Sequence, residues 1–151
     1  MKRRIVPGVI DGEQALCCLP PDATALDAAT LMRERRVGAV MIVAGSRLLG
    51  IVTERDLVFR LLAEERDARG TRLAQIMTAG PETLSPGDSA LDALQKMLDG
   101  RYRHLPVVDG SRICGIVSIR DLYEAARLTL QEELRSAESL IYGEQYGATA
   151  S

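Results

Sequence analysis

Residues 25–57, ALDAATLMRERRVGAVMIVAGSRLLGIVTERDL, and residues 90–122, ALDALQKMLDGRYRHLPVVDGSRICGIVSIRDL, align without a gap at a shift of 65 positions. Sixteen of these 33 positions are identical, among them Gly45-Ser46-Arg47 with Gly110-Ser111-Arg112, and Gly50-Ile51-Val52 with Gly115-Ile116-Val117. The chain is one unit used twice. Two diverged copies that close on the same Arg-Asp-Leu imply two related half-sites as well as two related folds.

Each copy reads strand, helix, strand, strand, helix. Asp22 or Thr24, and Asp88 or Ser89, can cap a helix whose apolar positions are Leu26, Ala29 and Met32 in one copy and Leu91, Leu94 and Met97 in the other. Short apolar runs follow at 39–44 and 105–109, then turns at Gly45-Ser46 and Asp109-Gly110-Ser111, then second runs at 48–52 and 113–117. Asp-Gly between two such runs predicts a hairpin. A second helix is expected over 54–65 in copy one and from Ile119 onward in copy two. First strands are expected at 14–19 and 82–84, with a docking turn at 74–78. The division this gives is a first repeat at 14–65, a connector at 66–80, a second repeat at 81–128, a helical extension at 129–142 and a fraying tail at 143–151. In the extension Ala126, Leu130, Leu134, Ala137 and Ile141 step by four, four, three and four. That stripe suits packing on the protein's own domain or a dimer contact, and the sequence leans to the second.

Composition narrows the function. Hydrophobic residues make up 46% of the 151 and aromatics 3%, so the core must be aliphatic. A net charge of −2 argues against nucleic acid held by bulk electrostatics, while leaving room for a local basic pocket. The longest apolar run, near 37–44, is strand-sized and predicts no membrane span. Lys2-Arg3-Arg4 imitates the start of a signal peptide, but Pro7, Gly8, Asp11 and Glu13 interrupt it, and a cytoplasmic protein is expected. Three cysteines do not form a disulfide framework. Adjacent Cys17 and Cys18 should point to opposite faces of a strand, and Cys114, aligned with Leu49, reads as a buried hydrophobe.

The chemistry gathers where each hairpin runs into its second helix. In Thr53-Glu54-Arg55-Asp56 and Ser118-Ile119-Arg120-Asp121 a hydroxyl ends a buried strand and an aspartate follows three positions later. A helix start offers unpaired N–H groups to phosphate, and the Thr53 or Ser118 hydroxyl can donate to the same group. The Asp56 or Asp121 carboxylate can accept both hydrogens of a ribose diol, and Arg55 or Arg120 can bond phosphate oxygens. Alone, each motif is better read as a helix cap in which hydroxyl and acid serve only backbone N–H groups. The double occurrence, each time after a Gly-hydrophobic-Val strand, favours a ligand.

From the Pro-x-x-(Thr/Ser)-Ala-Leu-Asp-Ala opening to the Gly-Ile-Val-(Thr/Ser)-x-Arg-Asp-Leu ending, the repeat resembles the cystathionine β-synthase (CBS) domain. Two copies resemble the tandem pair, or Bateman module, in its stand-alone bacterial form, over about residues 14–128. The resemblance implies an α/β (α+β) fold of two β-α-β-β-α repeats packed sheet to sheet with pseudo-twofold symmetry, followed here by an extended C-terminal helix. It implies clefts for adenosine compounds: AMP or ATP first, with ADP, NAD(H) and S-adenosylmethionine as further candidates, and no required cofactor. The family's ribose-binding aspartate falls on Asp56 and Asp121, and its phosphate-side hydroxyl on Thr53 and Ser118. Arg101-Tyr102-Arg103-His104-Leu105-Pro106-Val107 resembles the family's Arg-His-Leu-Pro-Val segment, which copy one lacks, so Arg103 and His104 join the phosphate candidates and the two clefts should differ, although His104 reads equally as a surface residue at a strand start. Arg36 and Arg101 align and read as solvated helix-end residues.

Catalysis finds no support: there is no nucleophile and base at a convincing spacing, no metal cluster around the single histidine and no P-loop. The expected role is a regulatory, nucleotide-sensing module that forms a homodimer and signals to a protein partner. The alternative is a structural or thiol-responsive interaction protein with empty clefts, sensing through Cys17, Cys18 or Cys114.

Overall fold

The computed structural model describes residues 3–11 and 15–149. The first repeat comprises β1 (Cys18–Leu19), α1 (Ala25–Arg35), β2 (Ala39–Ala44), β3 (Arg47–Thr53) and α2 (Glu54–Asp56), which continues into a wider π-type turn at Leu57–Leu62. Next come α3 (Leu73–Ile76) and β4 (Thr78–Ala79), then α4 (Ala90–Gly100), β5 (His104–Asp109), β6 (Arg112–Ser118) and α5 (Ile119–Thr149). Strands β1-β2-β3-β4 form one sheet, with β1 parallel to β2 and the other pairs antiparallel. Strands β5 and β6 form the second.

Both hairpins turn on the predicted residues, with Gly45 at φ 61° and Gly110 at φ 60°, the left-handed region where glycine avoids a side-chain clash. The register slips between Ile42 and Val43 and again between Val107 and Val108, leaving Leu49 and Cys114 unpaired in matching bulges. Cys114 is buried, as its alignment with Leu49 predicts.

The first strands are shorter than expected. Of 14–19 only Cys18–Leu19 is a strand, with Gln14 outside the described residues, and 82–84 reduces to a parallel bridge between Leu84 and Val107. Leu84 makes both backbone bonds that such a bridge offers, to Pro106 and Val108, each at 2.8 Å. Pro86-Gly87 then turns the chain toward the cap of α4, where Ser89 rather than Asp88 accepts the Asp92 N–H. Thr24 caps α1 in the same way, with Asp27 returning the bond.

The helix faces also differ from expectation. Buried positions are Ala25, Ala28 and Met32 in α1 and Ala90, Ala93 and Met97 in α4, while Leu26 and Leu91 are exposed. A strict step of three drifts around a helix of 3.6 residues per turn; the stripe that stays on the sheet steps three, then four. Alanines on that stripe let each helix lie close to its strands.

Two separate aliphatic clusters result. One joins Ala25, Ala28 and Met32 to Val40, Ile42 and Val52, closed by Leu73 and Ile76 of α3. The other joins Ala90, Ala93 and Met97 to Leu105, Val107, Val117 and Leu122, closed by Ile5 and Ile10. Met41 and Ile51, on the other face of the first sheet, are also buried, as packing of sheet on sheet requires. The stretch before α3 bonds to the cap of α1, and the N-terminal stretch bonds to the cap of α4, through the bridges Thr24–Arg72 and Arg4–Ser89. The N-terminus is thus a structural part of the second repeat.

Gly50 lets β4 close onto β3. A Cβ at this position would lie 2.6 Å from Met77 Sδ and 2.8 Å from the Thr78 carbonyl oxygen. Gly50→Ala should therefore lower the unfolding free energy by about 1–3 kcal/mol, the usual cost of overpacking, measured as a lower urea midpoint at unchanged slope.

Helix α5 runs from Ile119 through Thr149, a longer helical span than the extension expected at 129–142. Extension of an existing helix adds one bond per residue ordered, which Gly143 and Gly147 do not overcome. All residues 130–142 are exposed, so packing on the protein's own domain does not account for the stripe at Leu130, Leu134, Ala137 and Ile141. Among the described residues no helix is long and apolar enough to cross a membrane.

Candidate functional site

The helix cap and the candidate site occupy the same atoms. At the first junction Asp56 Oδ2 accepts the Thr53 N–H at 2.9 Å and the Thr53 hydroxyl at 3.2 Å, while Thr53 Oγ1 accepts the Asp56 N–H at 3.2 Å. At the second, Asp121 Oδ2 accepts the Ser118 N–H at 2.8 Å, and Ser118 Oγ accepts the Asp121 N–H at 3.1 Å. The reciprocal cap geometry is present at both junctions. Asp56 is buried, its Oδ2 is held by backbone and hydroxyl, and its Oδ1 turns toward Arg60 Nε at 3.6 Å.

A cavity of about 620 Å3 opens beside this junction, within the range that holds a drug-sized ligand. One wall is Ile51, Thr53, Arg55, Asp56, Phe59 and Arg60 of the first repeat; the facing wall is the turn from α4 into β5, residues 100–105. Thr78 of the connector and Pro81 and Glu82 at the start of the second repeat also line the cavity. The structure therefore brings Thr53, Arg55 and Asp56 together with Arg103 and His104. Ser118, Arg120 and Asp121 are not part of this lining. The difference between copies noted in the sequence is here a difference between the two walls of one cavity.

Arg101 lines the cavity as well, held at the left-handed end of α4 with φ 58°, whereas the aligned Arg36 does not. Arg101 is exposed at the C-cap of α4, so the expected solvated helix end stands while the residue also borders the cavity. Phe59 and Tyr102 were not singled out from the sequence. The scarcity of aromatics, 3% of the chain, was the available signal that the few present do not build the core, and Phe59, Tyr102, Tyr123 and Tyr142 are all exposed. Arg55 sits 5.8 Å over the Phe59 ring, a cation–π contact that holds the guanidinium at the rim. Glu54 and Glu82 add carboxylates, so the cavity mixes both signs of charge.

His104 is partly buried, and that burial pushes its pKa below the ordinary histidine value; Glu54 and Asp121 oppose the shift and Arg103 adds to it. Burial likewise raises the Cys17 and Cys18 thiols, with Arg35 opposing at Cys17 and Cys17 itself adding at Cys18. Less thiolate makes both poorer nucleophiles. Among the described residues no group of three or more His, Cys, Asp or Glu side chains is placed to hold a metal ion.

The family model for the CBS domain matches residues 1–63 and 73–128, one match on each repeat. The mitochondrial CBS domain-containing protein CBSX3 of Arabidopsis thaliana is 34% identical over 138 residues, covering 88% of this chain and 66% of its own length. The chain spans only 20% of the length of another plant relative it matches. Among solved structures, a protein with CBS domains from Burkholderia ambifaria MC40-6 superposes with a TM-score of 0.72 at 36% identity, covering 76% of this chain and 84% of that one. The CBS domain protein PAE2072 from Pyrobaculum aerophilum, complexed with AMP, gives 0.70 at 28% identity, covering 82% and 98%. With both repeats matched and the tandem architecture shared, this chain belongs to the CBS domain family, as an α/β pair of repeats extended by a long C-terminal helix.

Proposed function

We propose that the protein is a regulatory module that binds an adenosine nucleotide in the cavity between its two repeats and passes occupancy to a partner. The observation that carries this is the meeting of Asp56 and Thr53 from one repeat with Arg101, Arg103 and His104 from the other across one cavity. In this reading Asp56 takes the ribose hydroxyls, and Thr53, Arg55, Arg103 and His104 take the phosphates. Ser118, Arg120 and Asp121 would form the corresponding, differently charged site on the pseudo-equivalent side. AMP bound to a relative of the same architecture supports the ligand class. The raised thiols favour this reading over a thiol sensor.

A ligand spanning two walls favours whichever arrangement of the repeats brings those walls together, and a partner that distinguishes arrangements reads the difference. The exposed stripe of Leu130, Leu134 and Ile141 on α5 suits a second copy of the chain, giving a homodimer.

The test is a thermal-shift panel of AMP, ADP, ATP, NAD, NADH and S-adenosylmethionine. A compound at a hundred times its dissociation constant adds about 2.7 kcal/mol to stability, so at least one should raise the melting temperature by several degrees. Silence from all six refutes the reading.

A further inference from the structure

His104 is the chain's one histidine, and it stands where the two helix starts converge. It pairs with Ser118 across the β5–β6 hairpin, and the Ser118 N–H is bonded to Asp121. On its other side lies the first repeat's junction: a Cβ added to Gly38 would come within 3.3 Å of His104 Cε1 and 2.5 Å of Glu54 Oε1. Within the first repeat Gly38 O accepts the Glu54 N–H at 3.0 Å, which holds Glu54 beside Gly38, and the matching bond in the second repeat runs from Ile119 to Arg103 at 2.8 Å. Glu54 has no carboxylate counterpart, because the aligned residue is Ile119. The charged groups facing the imidazole are therefore Glu54 from α2, Asp121 from α5 and Arg103 from its own repeat, with Arg55, Asp56, Arg60, Arg101 and Glu82 elsewhere on the cavity wall.

We propose that His104 and Glu54 form a proton-linked selector of ligand charge in this cavity. The proposal rests on the nucleotide reading and names a regulation of that same site. With a neutral imidazole, Glu54 presents an unbalanced negative charge to an incoming phosphate chain. With an imidazolium, Glu54 is compensated and the ring gains a second N–H donor. Burial holds the empty site on the neutral side near pH 7, and a bound polyanion favours the charged form. Binding then takes up a proton, so affinity for a polyphosphate rises as pH falls through the bound-state pKa and levels off below the free-state one. A neutral nucleoside has no such dependence.

Two measurements test this. Because the chain has a single histidine, its imidazole C–H signals follow His104 directly by NMR. Glu54→Gln should move the ligand-free titration midpoint down, since the neighbouring carboxylate supports the charged ring; an unmoved midpoint overturns the pairing. Calorimetry of ATP and of adenosine between pH 8 and 6.5 should show ATP affinity rising by about threefold to tenfold, tenfold per pH unit being the limit for one linked proton. Adenosine should stay flat, and His104→Gln should flatten the protein's share while leaving the titration of ATP itself. An equal pH dependence in His104→Gln overturns the selector alone. Absence of ATP binding at every pH overturns the selector, and the nucleotide reading falls with it only if the six-compound panel is silent as well.

Discussion

Ile5→Ala will lower the unfolding free energy by about 2–5 kcal/mol, the range for truncating a fully buried aliphatic side chain. That is a large share of the roughly 5–15 kcal/mol that a domain possesses. Ile5 has no exposed surface and packs among Leu84, Ala90, Met97, Leu105 and Leu122, side chains of the second repeat about 80 or more positions along the chain. Its backbone is tied to the same place, through Ile5 N–H to Asp88 O at 2.9 Å and Ala90 N–H to Arg3 O at 2.7 Å. Neighbouring side chains held by those bonds cannot collapse fully into the vacated space, so a cavity term adds to the lost burial. The counterpart in the first repeat is Leu73, likewise fully buried, whose N–H bonds to Ala23 O at 2.8 Å. Urea denaturation measures the loss, and Leu16→Ala, at a position 41% exposed, should change it by no more than about 0.5 kcal/mol. Hydrogen exchange should place the loosening in α4 and β5 first. A loss below 1 kcal/mol, or loosening confined to α1 and β2, would contradict the packing described.

Asp56→Ala should remove most of the stabilisation that a nucleotide confers. A hydrogen bond to a charged group contributes about 1.5–3 kcal/mol, so losing the carboxylate should weaken binding by at least tenfold. At a ligand concentration a hundred times the wild-type dissociation constant, a tenfold loss halves the stabilisation, from about 2.7 to about 1.4 kcal/mol. The same substitution keeps the Thr53 Oγ1 bond to the residue 56 N–H but removes the acceptor of the part-buried Thr53 N–H, and should cost about 1–3 kcal/mol without any ligand. Asp56→Asn separates the two effects, because its amide oxygen can still accept the Thr53 N–H while the charge is gone. It should retain more of the intrinsic stability than alanine and still bind weakly. Asp121→Asn is the comparison: Asp121 is not in the cavity lining, so the ligand response should persist in that variant. Equal responses from the wild type and both Asp56 variants would exclude Asp56 from the site.

The two results test different kinds of information. The repeat, both hairpins with their glycine turns, the caps at Thr24 and Ser89 and the Thr53–Asp56 and Ser118–Asp121 junctions were legible because each is local: alternation, a turn dipeptide or a three-residue spacing. The buried stripe of α1 was misread by one position because Leu26 is more hydrophobic than Ala25, while helical geometry selects Ala25, Ala28 and Met32. The short first strands were overestimated because an apolar run records burial as readily as pairing: Leu84 is buried, yet only one bridge forms there.

The sequence alone determined that this protein is a doubled α/β unit with a hydroxyl and an acid at each of two helix starts. Only the tertiary structure decided that Arg101, Arg103 and His104 of the second repeat face Thr53 and Asp56 of the first, and that Ile5 completes the second core. The physical reason is range. Backbone hydrogen bonding and side-chain periodicity act over a few residues and leave a pattern in order along the chain, whereas the approach of one repeat to the other is fixed by the shapes of two packed sheets, to which no sequence spacing corresponds.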